Sequence, residues 1–310
     1  MYSLDQLRIG LLRPRRAIMT LRRELLYRKT GDQFNTVGVD VFEEDWDNLL
    51  ILDACRYDVF ESYGRLDGDL EKRISKGGAT REWLRGNFSD RDLRDVVYVT
   101  ANPQFYKYQD ELNTKFHDVW HIWQDDWDDD LKTVHPETTA EKAREALAEY
   151  PDKRLLVHFN QPHGPFLGET GRQYVFGSGN KPMRERDFWD DLRIRIQVEQ
   201  IPHEAWWEAY VETFEIVQEA VERLLPDLSG RTVVSSDHGK LLGERVSPIP
   251  FRMYDHLMGY YHEKLVTVPW LVHDTGKRRD IKRGDPIKHT SSVDDRTVSD
   301  RLSDLGYVSE

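Results

Sequence analysis

Two short apolar runs in the chain each stop on a carboxylate. The first is Asn48-Leu-Leu-Ile-Leu-Asp53. The second, Thr232-Val-Val-Ser-Ser-Asp-His-Gly239, ends on an Asp-His pair, and its glycine lets the backbone turn. Continuous apolar runs of this length suit parallel strands covered on both faces. In open α/β sheets, ligands bind in the crevice at the carboxyl ends of such strands. Oxygen and nitrogen donors delivered there read as ligands for a divalent cation. Neither run is decisive alone; the repetition of the pattern constrains the fold.

The other segments agree with an α/β alternation. Val96-Val-Tyr-Val-Thr100, Arg154-Leu-Leu-Val-His-Phe159 and Val266-Thr-Val-Pro-Trp-Leu-Val272 read as further strands, the last with Pro269 favouring a bulge or an edge. Apolar residues at helical spacing predict helices over 137–149, about 203–225 and 296–305. The Trp- and Asp-rich stretch 117–130 reads as an irregular surface excursion, without the residue order of a calcium loop. Residues 166–200 and 240–263 read as an insertion and a long loop. The expected fold is one α/β domain over residues 36–310, doubly wound, with a mainly parallel central sheet and helices on both faces.

Residues 4–28 alternate apolar and basic residues, with Pro14 splitting the run, and predict a helical arm over 1–35. Residues 1–30 hold eight Lys or Arg against Asp5 and Glu24, so the body is more acidic than the net charge of −12 conveys. The arm is either a packed helical extension with solvated arginines or a basic surface for anionic lipid or an acidic partner. An acidic body argues against nucleic acid as the main partner. One cysteine excludes an internal disulfide. No apolar run approaches a membrane span, and the N-terminus lacks the pattern of a signal peptide. The expected location is therefore cytoplasmic, with peripheral contact at the inner membrane face through residues 1–30.

Between the strands, Gly77-Gly-Ala-Thr80 precedes a helical pattern, so Thr80 is expected at or near a helix N-cap. The polar strand ends and loops thus supply Asp53, Thr80, His158 or His163, Asp237, His238 and His256. Carboxylates, imidazoles and one hydroxyl at a helix start suit metal-assisted attack on phosphorus or sulfur. A divalent ion would make Thr80 a nucleophile, and Arg56 or an imidazole could take the remaining negative charge, the alternative for Arg56 being a simple pairing with Asp58 or a neighbouring carboxylate. His158, inside a strand, reads as a hydrogen-bonded core histidine instead of a ligand.

The stretches DNLLILDACRYDVFESYG (47–64), GGATREWL (77–84), HFNQPHGPF (158–166), VVSSDHGKLLGE (233–244) and His256 followed by VTVPWLV (266–272) occur in one order. In that order the chain resembles the alkaline phosphatase superfamily, and within it the sulfatase-like branch that includes phosphoglycerol and phosphoethanolamine transferases. The resemblance implies a metal bound by Asp53, Thr80, Asp237 and His238, with Thr80 transiently phosphorylated. It also implies that His163 and His256 contact substrate or a second metal. The ion would be Mn, Zn, Mg or Ca, one being expected because only Asp53 is offered after the first strand. The substrate would be a small-molecule, lipid or glycan phosphate or sulfate ester.

The chain departs from the Cys-x-Pro-x-Arg pattern that sulfatases mature to formylglycine: Cys55 is followed by Arg56, Tyr57, Asp58 and Val59. A threonine sulfate ester lacks the geminal hydroxyl that expels sulfate, whereas phosphothreonine can be displaced at phosphorus. The pattern therefore favours phosphoryl chemistry, with true sulfuric ester hydrolysis as the alternative enzyme. A noncatalytic scaffold that binds a membrane or partner through the basic arm is the alternative outside enzymes.

Overall fold

The computed structural model describes residues 34–175, 201–245, 252–256, 258–287 and 293–307. The basic arm read from 1–30 and most of the insertion read from 166–200 lie outside the described residues. Among the described residues, no helix is long and apolar enough to cross a membrane.

The chain runs β1 (Asn48–Leu52), α1 (Tyr57–Tyr63), β2 (Asp69–Ile74), α2 (Thr80–Phe88), β3 (Asp92–Thr100), α3 (Gln104–Leu112), β4 (Lys115–His121), α4 (Pro136–Glu149) and β5 (Arg154–Phe159). It continues through α5 (Glu169–Val175), α6 (His203–Leu224), β6 (Arg231–Ser235), β7 (Leu241–Arg245), β8 (Arg252–Asp255), α7 (Glu263–Val266), β9 (Thr267–Asp274) and α8 (Asp295–Asp304). Seven strands form one sheet in the order β2-β9-β6-β1-β5-β3-β4. The five from β6 to β4 are mutually parallel, and β9 pairs antiparallel with both β6 and β2. The doubly wound, mainly parallel α/β architecture is therefore observed.

Alternation along the strands divides the core into two apolar layers. Leu50 and Leu52 of β1, Val97 and Val99 of β3, and Leu155 and Val157 of β5 pack with α4, α6 and α8. Leu49 and Ile51, Tyr98 and Leu156 point the other way, towards Trp83, Leu84 and Phe88 of α2 and Phe105 of α3. The central strand β1 is buried along its whole length because both faces are covered.

Three sequence expectations change. Residues 117–121 of the supposed excursion belong to β4, which pairs with β3 at the sheet edge. The 240–263 loop contains a two-stranded hairpin, β7 with β8. Pro269 lies in a strand flanked on both sides, without a bulge. It is tolerated because the β6 ladder ends at Trp270, one residue before the proline would need a donor on that side.

The turn after β1 is held from across the molecule. Ala54 adopts φ 61°, a left-handed conformation that costs a non-glycine residue about 1–2 kcal/mol. Its amide donates to Asp237 Oδ1 at 3.0 Å. The Tyr210 hydroxyl of α6 donates to its carbonyl at 2.7 Å and accepts the Arg56 amide at 3.0 Å. Tyr210→Phe leaves both backbone groups buried without that partner, and should lower stability by about 1–3 kcal/mol in urea unfolding. A loss below about 0.5 kcal/mol would show that the turn does not depend on this hydroxyl.

Candidate metal centre

Register brings the two carboxylates together. Ile51 of β1 faces Ser235 of β6, so two residues further along each parallel strand Asp53 lies level with Asp237. On the other side Leu52 pairs with Phe159 and Ile51 with His158. The site thus occupies the carboxyl ends of three adjacent parallel strands, β6, β1 and β5, where an open α/β sheet places its ligands.

The donor atoms converge. One donor atom each from Asp53, His158 and Asp237 lies within 4.8 Å of the others, and all three side chains are buried. His238 Nε2 is 3.6 Å from Asp53 Oδ1 and 3.4 Å from Asp237 Oδ2. Ligand atoms around a tetrahedral ion with bonds of about 2.0–2.1 Å stand about 3.3 Å apart, close to these separations. Asp53 Oδ1 and His158 Nε2 are buried without a hydrogen-bond partner. Buried polar atoms left in that state mark a place for a ligand. The donors present therefore fit a divalent cation.

His158 is both what the sequence suggested and more. It is a core histidine, its Nδ1 3.0 Å from the Tyr98 hydroxyl and its ring edge-on to Trp83. Its Nε2 nevertheless points at Asp237 Oδ2, 3.9 Å away. Burial pulls both the His158 and the His238 imidazole down to about 4, so both are neutral near pH 7 and present lone pairs. His238 Nδ1 donates to the Gly239 carbonyl at 2.7 Å, which leaves Nε2 as the acceptor facing the carboxylates. That loop is tight: a Cβ on Gly239 would stand 2.1 Å from the Lys264 carbonyl oxygen.

Burial, and then repulsion from Asp237, hold the Asp53 carboxyl well above its ordinary range, although Tyr307, Asn102 and Lys240 partly oppose this. Burial also works against ionisation of Asp237, but His238 and His158 outweigh it and bring the group below the usual value. The proton is thus held more tightly by Asp53 than by Asp237.

Thr80 is the first residue of α2, not its N-cap; the cap position is Ala79, which makes no side-chain cap. The capping work falls to Glu82, which accepts the Gly78 amide at 2.9 Å. Thr80 Oγ1 is free of that duty and donates to Asp237 Oδ2 at 2.7 Å, with His238 Nε2 3.2 Å away. The close approach needs Gly77, where a Cβ would stand 2.5 Å from the Trp83 amide nitrogen. Glu82 also accepts the Gly259 amide at 2.7 Å and so ties the His256 segment to the start of α2.

The remaining expected residues fall in two places. His163 donates through its own amide to the Asp53 carbonyl at 2.9 Å, and its ring meets that of His256 at 5.3 Å. His256 in turn lies 4.6 Å from the His238 ring. Arg56 is elsewhere in role: its guanidinium holds Asp58 at 2.7 and 2.9 Å and Glu244 at 2.5 Å, and packs over Trp207. Two residues were not anticipated. Asn102, beyond β3, donates to Asp53 Oδ2 at 2.7 Å, and Tyr307, beyond α8, donates to the same oxygen at 3.0 Å. Asn102 follows a strand end, as Asp53 and Asp237 do, and that signal could have found it; Tyr307 carries none.

Because Asp53 has a raised folded-state pKa, a cation must displace its proton at low pH. Affinity for Mn2+ should therefore rise with pH above about pH 5 and level off once Asp53 ionises unaided. The histidines, already neutral above about pH 5, add little to this trend. Calorimetric titration in buffers of different ionisation enthalpy measures the released proton; affinity flat across that range would mean that Asp53 carries no such proton.

No family model matches the chain, and no curated protein sequence does. Among solved structures, the soluble domain of lipooligosaccharide phosphoethanolamine transferase A from Neisseria meningitidis matches at 14% identity over 73% of this chain and 75% of that one, with a TM-score of 0.48. The C-terminal periplasmic domain of EcEptC from Escherichia coli, in complex with Zn, matches at 14% identity over 80% and 75%, also with a TM-score of 0.48. That of phosphoethanolamine transferase EptC from Campylobacter jejuni matches at 12% over 74% and 78%, with a TM-score of 0.43.

Proposed function

We propose that the chain is a metal-dependent phosphoryl transferase or phosphoester hydrolase with Thr80 as nucleophile. The observation that supports it best is the position of the Thr80 hydroxyl, 2.7 Å from Asp237 Oδ2 and 3.2 Å from His238 Nε2, at the start of a helix. Asp53, Asp237, His238 and His158 would hold the cation, which when bound supplies positive charge for an anionic ester and its developing oxyanions.

In this reading Thr80 Oγ1 attacks phosphorus. The new P–Oγ bond forms as the ester P–O bond breaks, and the electron pair leaves with the ester oxygen. The hydroxyl proton passes to Asp237 Oδ2, which already accepts it in a hydrogen bond at 2.7 Å. The N-terminal dipole of α2 favours the charge on the nonbridging oxygens. His163 and His256, around the same space, contact the substrate. Water or an acceptor hydroxyl then attacks the phosphothreonine, and the P–Oγ electron pair returns to Thr80 with the stored proton.

Phosphate is preferred to sulfate on chemical grounds. Threonine is not a precursor of formylglycine, and Cys55 is buried beside Ser236, whose Oγ accepts the Cys55 amide at 2.8 Å. An unmodified hydroxyl suits displacement at phosphorus.

The test is turnover of p-nitrophenyl phosphate and bis(p-nitrophenyl) phosphate by the full chain with Mn2+ or Zn2+. Thr80→Ala should lose at least about 10³-fold in kcat, while Thr80→Ser retains measurable activity. Intact mass spectrometry of the wild-type chain should find one phosphoryl group, mapped to Thr80. Turnover that survives Thr80→Ala would remove this residue from the mechanism.

A further inference from the structure

The Tyr307 side chain sits between the nucleophile and the carboxylate, and its route into the site is built into the end of α8. Helix α8 is anchored by Val298 and Leu302 in the larger apolar layer, and Leu305 just beyond it is also buried. On its outer side Arg301 pairs with Asp129 at 2.6 Å and lies over the Trp127 ring. The helix then stops in a Schellman motif: Gly306 at φ 83° donates to the Ser303 carbonyl at 2.9 Å, and the Tyr307 amide donates to the Leu302 carbonyl at 2.8 Å. Gly306 is needed because the reversal demands a left-handed backbone there. The reversal turns Tyr307 back over the carboxyl ends of the strands.

There the phenol ring stacks on His163, with centroids 5.3 Å apart and planes 17° apart. Its hydroxyl lies 3.0 Å from Asp53 Oδ2, 3.2 Å from Thr80 Oγ1 and 3.4 Å from Asn102 Nδ2. One group therefore touches the attacking atom and a cation-binding carboxylate. Asn102 and Tyr307 together occupy Oδ2 of Asp53, while Oδ1 is the oxygen left without a hydrogen-bond partner. They aim the carboxylate, since outer hydrogen bonds fix which oxygen is offered to an ion.

We propose that Tyr307 is a further catalytic residue of this site, holding Asp53 through Oδ2 and donating a hydrogen bond to the Thr80 oxygen when that oxygen carries negative charge. The proposal rests on the phosphoryl-transfer reading above and deepens it. A phenol has one proton, and two acceptors stand within reach of it. In the resting site Asp53 Oδ2 takes it. A cation held by Asp53 would lower the charge on Oδ2, and Thr80 Oγ1 gains charge as the phosphothreonine P–O bond breaks. The hydrogen bond then shifts to Oγ1 without transfer of the proton. Thr80 recovers its own proton from Asp237 Oδ2, where the first half-reaction left it. A neutral donor aimed at a leaving alkoxide in a buried site is worth far more than in water.

The experiment compares wild type, Thr80→Ala and Tyr307→Phe in the full chain. Phenylalanine keeps the ring on His163, so Tyr307→Phe should still fold cooperatively in thermal melting. Its Mn2+ dissociation constant, by calorimetry, should weaken about 10-fold. With p-nitrophenyl phosphate at saturating Mn2+, kcat should fall about 100-fold, and the steady-state fraction of chains phosphorylated at Thr80 should rise because breakdown is slowed. Wild-type kcat and wild-type phosphothreonine levels in Tyr307→Phe overturn the proposal while leaving the nucleophile intact. Weaker Mn2+ binding with unchanged kcat reduces Tyr307 to a positioning residue of Asp53 and overturns the catalytic role. A wild-type chain without turnover, or turnover that survives Thr80→Ala, sinks the phosphoryl-transfer reading and this proposal together.

Discussion

Two carboxylates side by side in a buried sheet edge are the constraint around which the rest of this molecule is arranged. The donor atoms of Asp53 and Asp237 lie within 4.8 Å of each other, so two full charges would repel by roughly 3 kcal/mol or more at an effective dielectric of about 20. Desolvation adds to that cost. The surroundings answer it in several ways: Asp237 takes the Ala54 amide and the Thr80 hydroxyl, Asp53 takes Asn102 and Tyr307, and two imidazoles face them both. What remains unanswered is one carboxylate oxygen and one imidazole nitrogen, a deficit that a divalent cation would remove.

The parallel sheet makes this placement affordable. Covering β1 on both faces excludes water from the strand itself, and the register with β6 sets Asp53 level with Asp237 without any long-range adjustment. Strain appears where the chain leaves the strand, at Ala54, and it is held by a side chain of α6 on one side and by Asp237 on the other. A left-handed non-glycine residue beside the candidate site is the kind of local cost that surrounding structure must over-determine. The same turn seats Arg56, whose guanidinium serves to join α1 to β7 through Asp58 and Glu244.

Helix α2 shows how a local choice frees a functional group. A threonine at a helix start ordinarily has capping work to do. Here Ala79 holds the cap position, and Glu82 turns back to the Gly78 amide. The Thr80 hydroxyl is left to Asp237 and His238. Glu82 also binds the Gly259 amide, so the start of α2, the His256 segment and the donor cluster form one connected unit.

Much of this was legible in the chain. Uninterrupted apolar runs closed by Asp53 and Asp237 announced parallel strands with ligand-bearing ends, because only a strand buried on both faces can be apolar at every position. Asp53, Asp237 and His238 were named from strand ends, Thr80 from a helix start and His163 and His256 from loops, and these side chains lie near one another in the fold. Periodicity could not decide His158, since a strand residue reads as core whether or not its far nitrogen meets a carboxylate. It could not find Tyr307 either, which reaches the site through a helix end and a left-handed glycine over two hundred positions from Thr80. The sequence left Arg56 open between charge on a substrate and a pairing with Asp58 or a neighbouring carboxylate, and packing gives it to Asp58 and Glu244. Local pattern determines which residues stand at strand ends, because side-chain direction follows the backbone repeat; only tertiary packing decides which ring or guanidinium fills the space between them.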